Sequence, residues 1–228
     1  GSACCSAFAF EVRYPGQPAR LSRTSNCELE LEPGTRTAKR APRSANGGRA
    51  ALATPAVQTP QRDVLRLYIF DCGTLKDRDG VAYGLSRERV PPRDLSDPCA
   101  LVVHPRGTLL WETGLHESVN RTPPGGDTRP GRPRAGDRVD RTLRSQLQEA
   151  GYSPADITYV ALSHAHWDHT GNLRDYASST WLVQRPERES ILGGAPLPNQ
   201  ADFAGMERMK TQVLDGDHDV FGDGQVRL

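Results

Sequence analysis

The chain has 228 residues, 36% of them hydrophobic and 25% charged, with 18 Pro and 22 Gly, which allows one ordinary domain plus some loose chain. No run approaches the roughly 18 apolar residues that a spanning helix needs, so the reading excludes a membrane partner. The formal charge of +1, from 29 basic and 28 acidic residues, gives no general reason to expect nucleic acid.

The charge is uneven along the chain. Residues 1–60 carry eight Lys or Arg against four Glu, whereas residues 61–228 carry 21 basic and 24 acidic residues. The first part is rich in Arg, Ala, Pro, Ser, Thr and Gly, has no sustained period of 2 or 3.6, and holds one short apolar patch at Ala7 to Val12. Such a segment buries too little surface to offset its chain entropy. Residues 1–60 are therefore expected to be a disordered or non-native extension, and 61–228 the folded domain. Ala51-Leu52-Ala53 has the small-x-small form of a signal-peptidase site, but Arg40, Arg43 and Arg49 precede it and no apolar stretch does. No working signal peptide is expected, and the compartment stays open between cytoplasm and periplasm or secretion.

From Val64 the character changes. Val64 to Phe70 reads as a β-branched and aromatic strand that Asp71-Cys72-Gly73 ends, and a proline- and charge-rich loop follows through Pro91-Pro92. Ala100 to Val103 and Thr108 to Trp111 flank His104-Pro105-Arg106-Gly107, a hairpin signal with His104 as a turn residue. Residues 121–137 form a long loop. Val139, Leu143, Leu147 and Ala150 lie on one face of a helix that Gly151 stops. Ser153-Pro154 opens a short turn, Ile157 to Leu162 is an interior strand, Trp181 to Val183 another strand, and Pro186 to Glu189 opens a helix toward Gly193. The order defines an α/β domain. The five cysteines, an odd number without C-x-x-C, argue against a disulfide framework. Cys72 and Cys99 read as small buried residues.

The chemistry lies in Ser163-His164-Ala165-His166-Trp167-Asp168-His169-Thr170-Gly171-Asn172. This run leaves the carboxyl end of the interior strand. His164 and His166 project to one side of extended backbone, Asp168 repeats that side, and His169 starts the turn. Zinc takes imidazole nitrogen at about 2.0–2.1 Å and carboxylate oxygen at about 2.0–2.2 Å, so donors clustered on short backbone suit it.

His164-x-His166-x-Asp168-His169 resembles the HxHxDH signature of the metallo-β-lactamase superfamily, and the resemblance covers roughly residues 64–228. It implies the N-terminal half of an αββα sandwich. It also implies two zinc ions, His164 and His166 binding the first and Asp168 and His169 the second, with Asp168 in addition carrying a proton to the leaving alkoxide. Glu112-Thr113-Gly114 is similar to the family's Asp-x-Gly turn, with Glu in place of Asp; Glu112 and the following His116 are candidates beside the metals.

Asp71 to Gly73, Trp111 to Gly114 and Leu162 to Asn172 look like the N-acyl homoserine lactonase branch. The resemblance implies lactone ring opening by an activated water, with a glyoxalase II-like thioesterase, a β-lactamase-type hydrolase or a phosphotriesterase as alternatives. Substrates would be small esters, lactones or thioesters, and a homodimer is a further expectation. The family's third His is expected some 60 or more residues past the first motif, and the chain ends 59 residues after His169. Val213 to Leu228 reads as the strand pair before that loop, and His218 as a surface residue. The chain by itself is therefore expected to be a catalytically incomplete fragment.

Overall fold

A computed structural model describes residues 11–12, 28–29, 64–125, 132–193 and 197–228. The expectation for residues 1–60 lies outside these, apart from two short strands, β1 (Glu11–Val12) and β2 (Glu28–Leu29). The described domain is built on a seven-stranded sheet. Its strands are β2, β3 (Arg66–Arg78), β4 (Arg93–His104), β5 (Gly107–Trp111), β6 (Tyr159–Ala161), β7 (Thr180–Gln184) and β8 (Thr211–Leu214), in that spatial order. Pairing is antiparallel from β2 to β5 and parallel from β5 to β8. Hairpins suffice for the first part. The parallel part needs crossovers, which helices α1 (Leu143–Glu149), α2 (Trp167–Thr170) and α3 (Arg185–Leu192) help to supply.

Both faces of the sheet are covered, which explains the nearly continuous apolar strands. On one face Leu101, Val103, Leu110, Val160, Trp181 and Val183 meet Leu143 and Leu147 of α1 and Ile191 of α3. On the other, Val102, Leu109, Ala161 and Leu182 meet Val220, Phe221, Val226 and Leu228. Each fully buried side chain of this size contributes about 1.5–3 kcal/mol. Gln146 fixes α1 to β3: its Nε2 donates to the Asp71 carbonyl (2.7 Å) and its Oε1 accepts from the Asp71 amide (3.1 Å). Thr142 caps α1 through its side chain, accepting from Ser145 N, so the helix starts after Val139 rather than including it.

Four expectations change. The first strand does not end at Asp71 to Gly73; it runs to Arg78 through an irregularity in register between Asp71 and Thr74, as a bulge allows. Cys72 and Cys99 are buried, as expected, but they are bonded to each other across β3 and β4, with Cα atoms 5.8 Å apart. His104 is no loose turn residue: it ends β4 fully buried, stacks on Phe221 at 4.3 Å and places Nε2 2.9 Å from the Asp223 carboxylate. Val213 to Leu228 pairs otherwise than as one simple hairpin: β8 joins the main sheet, β9 (Val226–Arg227) pairs with β1, and within the segment Asp219 bridges Arg227 in antiparallel sense. His218, half-buried, exchanges backbone hydrogen bonds with Leu228.

The cross-strand bond yields a stability prediction. Cys72→Ser/Cys99→Ser should unfold in urea at a lower concentration, with a loss of about 2–4 kcal/mol. An unchanged midpoint would show that the bond contributes nothing to stability.

Candidate metal centre

The run from Ser163 to Asn172 leaves the carboxyl end of β6, at the edge where β5, β6 and β7 all point the same way. In open α/β sheets that edge is where ligands collect. His166 precedes α2, and Trp167, Asp168, His169 and Thr170 form its single turn. Three imidazoles are crowded together: the ring centres of His164 and His166 lie 4.3 Å apart, and those of His164 and His169 4.2 Å. The Asp168 carboxylate is 3.6 Å from His169 Nε2. The structure thus brings together all four residues expected to bind metal.

His169 is held from two directions. Glu112 Oε2 lies 3.0 Å from its Nδ1, and Glu112 Oε1 accepts from the Ser163 amide at 2.8 Å. The His169 carbonyl accepts from both the amide and the hydroxyl of Thr113, each at 2.9 Å. The Glu112 carboxylate therefore reaches the ligand loop twice. It does so with φ of 66°, a left-handed backbone that costs a non-glycine residue roughly 1–2 kcal/mol. Gly114 has φ of 61° and no room for a side chain, since a Cβ there would fall 2.2 Å from Cys72 Cβ. Its carbonyl accepts from the Gly171 amide, and Asn172 Nδ2 donates to the carbonyls of Thr113 (2.7 Å) and Leu115 (2.8 Å). The turn at 112–115 is wedged between the disulfide and the ligand loop.

Electrostatics separate the histidines. Burial, reinforced by the neighbouring His169 and His166, pushes His164 down to about 4. A neutral imidazole is the form that ligates a metal. Burial works against charge on His169 too, but the hydrogen bond and charge of Glu112, with Asp168 and Asp97, carry it up to about 9. Among the described residues no group of three or more His, Cys, Asp or Glu is disposed to close on one ion as the side chains stand. The donors fit zinc in kind and in proximity, three imidazoles and a carboxylate, and with Glu112 at its Nδ1 His169 would turn Nε2 to an ion.

The other expected residue, His116, is exposed, and its Nδ1 accepts from the Ser118 amide at 3.2 Å and lies 2.9 Å from the Ser118 hydroxyl. Its backbone amide packs against Gly171, where a Cβ would come within 2.3 Å. It borders the ligand loop without joining the cluster. Asp97 was not anticipated: it lies on β4, is buried, and its Oδ2 has no hydrogen-bond partner among the described residues. Desolvation raises its carboxyl to about 8, with Asp168 and Glu112 adding to the rise and His169 opposing it. Nothing in the pattern Ser96-Asp97-Pro98 marked it, because the signal is its surroundings.

A layered α/β domain that presents HxHxDH beside the carboxyl ends of its parallel strands has the plan of a metal-dependent hydrolase. The family model described as the metallo-beta-lactamase superfamily matches residues 92–228, and the chain belongs to that superfamily. It is 30% identical over 174 residues to the N-acyl homoserine lactonase AttM of Agrobacterium fabrum, covering 70% of this chain and 64% of AttM. It is 27% identical over 168 residues to the N-acyl homoserine lactonase of Bacillus cereus, covering 69% and 62%. The chain thus spans less than two thirds of the curated relatives it matches. Among solved structures its fold resembles an N-acyl homoserine lactone hydrolase with bound N-hexanoyl-L-homoserine, with TM-score 0.53, 22% identity, and 68% and 62% of the two chains covered. It also resembles AidC, a dizinc quorum-quenching lactonase, with TM-score 0.51, 18% identity, and 72% and 63% covered.

Asp97 gives a pH prediction. Its folded value lies above the ordinary carboxylate value, so the metal-free chain loses stability as pH rises from about 4 to about 8, where the unfolded chain has released a proton that the folded one keeps. Asp97→Asn should therefore melt a few degrees above the parent at pH 8 and much closer to it at pH 5. A melting difference that does not change with pH would contradict this.

Proposed function

We propose that this chain carries the metal-binding half of a zinc-dependent hydrolase that opens the lactone ring of N-acyl homoserine lactones. The observation that carries the reading is the crowding of His164, His166, Asp168 and His169 in one loop, with His169 fixed by Glu112. The curated lactonases among its relatives supply the substrate class. His164 and His166 would hold one zinc, and Asp168 and His169 the second. Bound zinc would supply a Lewis acid for the lactone carbonyl and a water acidic enough to attack at neutral pH.

The chain's own residues have defined tasks. Glu112 orients the His169 ring, and Thr113 fixes its backbone. Trp167, half-buried between ligands, packs on Leu75, Leu115, Val119 and Val139 and shields that side from water. In ring opening a bond forms between the water oxygen and the carbonyl carbon and the ring C–O bond breaks; Asp168 would take one proton from the attacking water and pass it to the departing alkoxide, and the second would leave to solvent. The product is an N-acyl homoserine carboxylate. Of the two compartments left open by the sequence, the Cys72–Cys99 bond favours the oxidising one, periplasmic or extracellular.

The test is hydrolysis of N-acyl homoserine lactones by the full-length protein, against a panel containing an S-acyl glutathione, a β-lactam and a phosphotriester. Lactone should be the preferred substrate. Both His166→Ala and Asp168→Asn should lower kcat/KM by a factor of at least about 100, as should removal of zinc by a chelator. A faster reaction with another member of the panel would overturn the substrate, and unchanged turnover in both variants would overturn the site.

A further inference from the structure

A second grip on the ligand loop comes from a part of the chain in which the sequence showed no chemistry. Asn199 and Asp202 lie in the segment that follows α3, Asn199 immediately before a short 3-10 turn at Gln200–Phe203. Phe203 and Met206 bury themselves in the main core and so give this segment a firm base. From there Asn199 Nδ2 reaches the Ala165 carbonyl at 3.0 Å and the Thr170 hydroxyl at 2.7 Å, with Asp202 Oδ2 at 3.2 Å. The Thr170 hydroxyl in turn donates to Asp202 Oδ2 at 2.8 Å.

The hydrogen-bond inventory fixes the direction of every contact. A carbonyl and a carboxylate can only accept, and the Thr170 hydroxyl has spent its one hydrogen on Asp202, so toward Asn199 it accepts as well. Three acceptors therefore face the Asn199 amide, so its NH2 end must point to them, its two hydrogens serving the Thr170 hydroxyl and the Ala165 carbonyl with Asp202 as the longer, shared contact. Ala165 sits between His164 and His166, and Thr170 follows His169. One amide group thus ties the first pair of ligands to the last. None of these contacts involves a metal, and none is made by a ligand side chain.

We propose that Asn199, held by Asp202 and Thr170, is a positioning residue that sets the separation of the two halves of the HxHxDH loop before metal arrives. The inference rests on the reading of this loop as a metal site. Partners of this kind, one layer behind the ligands, change metal affinity by about 10–100-fold when removed. Asn199→Asp is the sharpest probe, because it keeps the shape while turning the donor into an acceptor that faces a carbonyl and a carboxylate. Thr170→Val removes the hydroxyl relay, and Thr170→Ser keeps it.

The experiment is titration of the chain with cobalt(II), which reports affinity and ligand geometry through its visible absorption, alongside thermal melting of the metal-free protein. Asn199→Asp and Thr170→Val should bind cobalt about tenfold or more weakly and show an altered spectrum at saturation, whereas Thr170→Ser should match the parent in both. Should Asn199→Asp not fold, Asn199→Ala is read in its place with the same expectation. Parental affinity and spectrum in the folded variants, or a lowered melting temperature alone, would overturn the positioning role. Failure of the parent itself to bind cobalt, or equal binding by His166→Ala, would overturn the metal reading and this inference with it.

Discussion

The left-handed turn at Glu112 to Gly114 is the constraint on which the site depends. It sets a carboxylate under His169 and an amide and hydroxyl under the His169 carbonyl, and it does so only because Glu112 accepts a strained backbone angle. Strain of that kind persists where surrounding contacts over-determine it. Here they do: the Glu112 amide donates to the Ala161 carbonyl, the Leu115 amide to the Cys72 carbonyl, and Asn172 closes over the carbonyls of Thr113 and Leu115. The conformation is thus enforced from the sheet, from the bonded cysteines and from the ligand loop together.

Sheet, turn and loop form a sequence of dependence. Parallel pairing of β5, β6 and β7 brings their carboxyl ends to one edge. The two strands that carry the site, β5 and β6, end in the turn and in the ligand run respectively. A loop of three imidazoles and an acid would be expected to spread in water by mutual repulsion of any charged forms. Burial keeps His164 neutral while Glu112 offsets the charge that His169 retains. The local electrostatics therefore suit the loop to staying compact.

Much of this was legible in the residues. The interior strand before Ser163 was visible as an apolar run, and the four donors were visible by type and spacing, since donors that share one short loop must converge wherever the loop sits. Glu112 was visible as a turn residue, although its double contact with Ser163 and His169 was not. What escaped the sequence depends on distant neighbours. Cys72 and Cys99 are 27 residues apart and meet only because β3 and β4 pair across an irregular register. Asp97 looks like any loop-side acid until the sheet closes over it. Asn199 and Asp202 are ordinary polar residues whose meaning comes from a fold that sets them beside Ala165 and Thr170. His104 looked like a turn residue because Pro105 follows it, and it became a buried one when Phe221 and Asp223 folded back.

The pairing of β1 with β9 aligns Glu11 with Arg227 and Val12 with Val226. These residues lie near opposite ends of the chain, so closing the loop between them carries a large entropic cost before any contact offsets it. During synthesis Glu11 leaves the ribosome long before Arg227 exists. A contact closed over so long a separation is expected to form after the nearer strands of the sheet have paired.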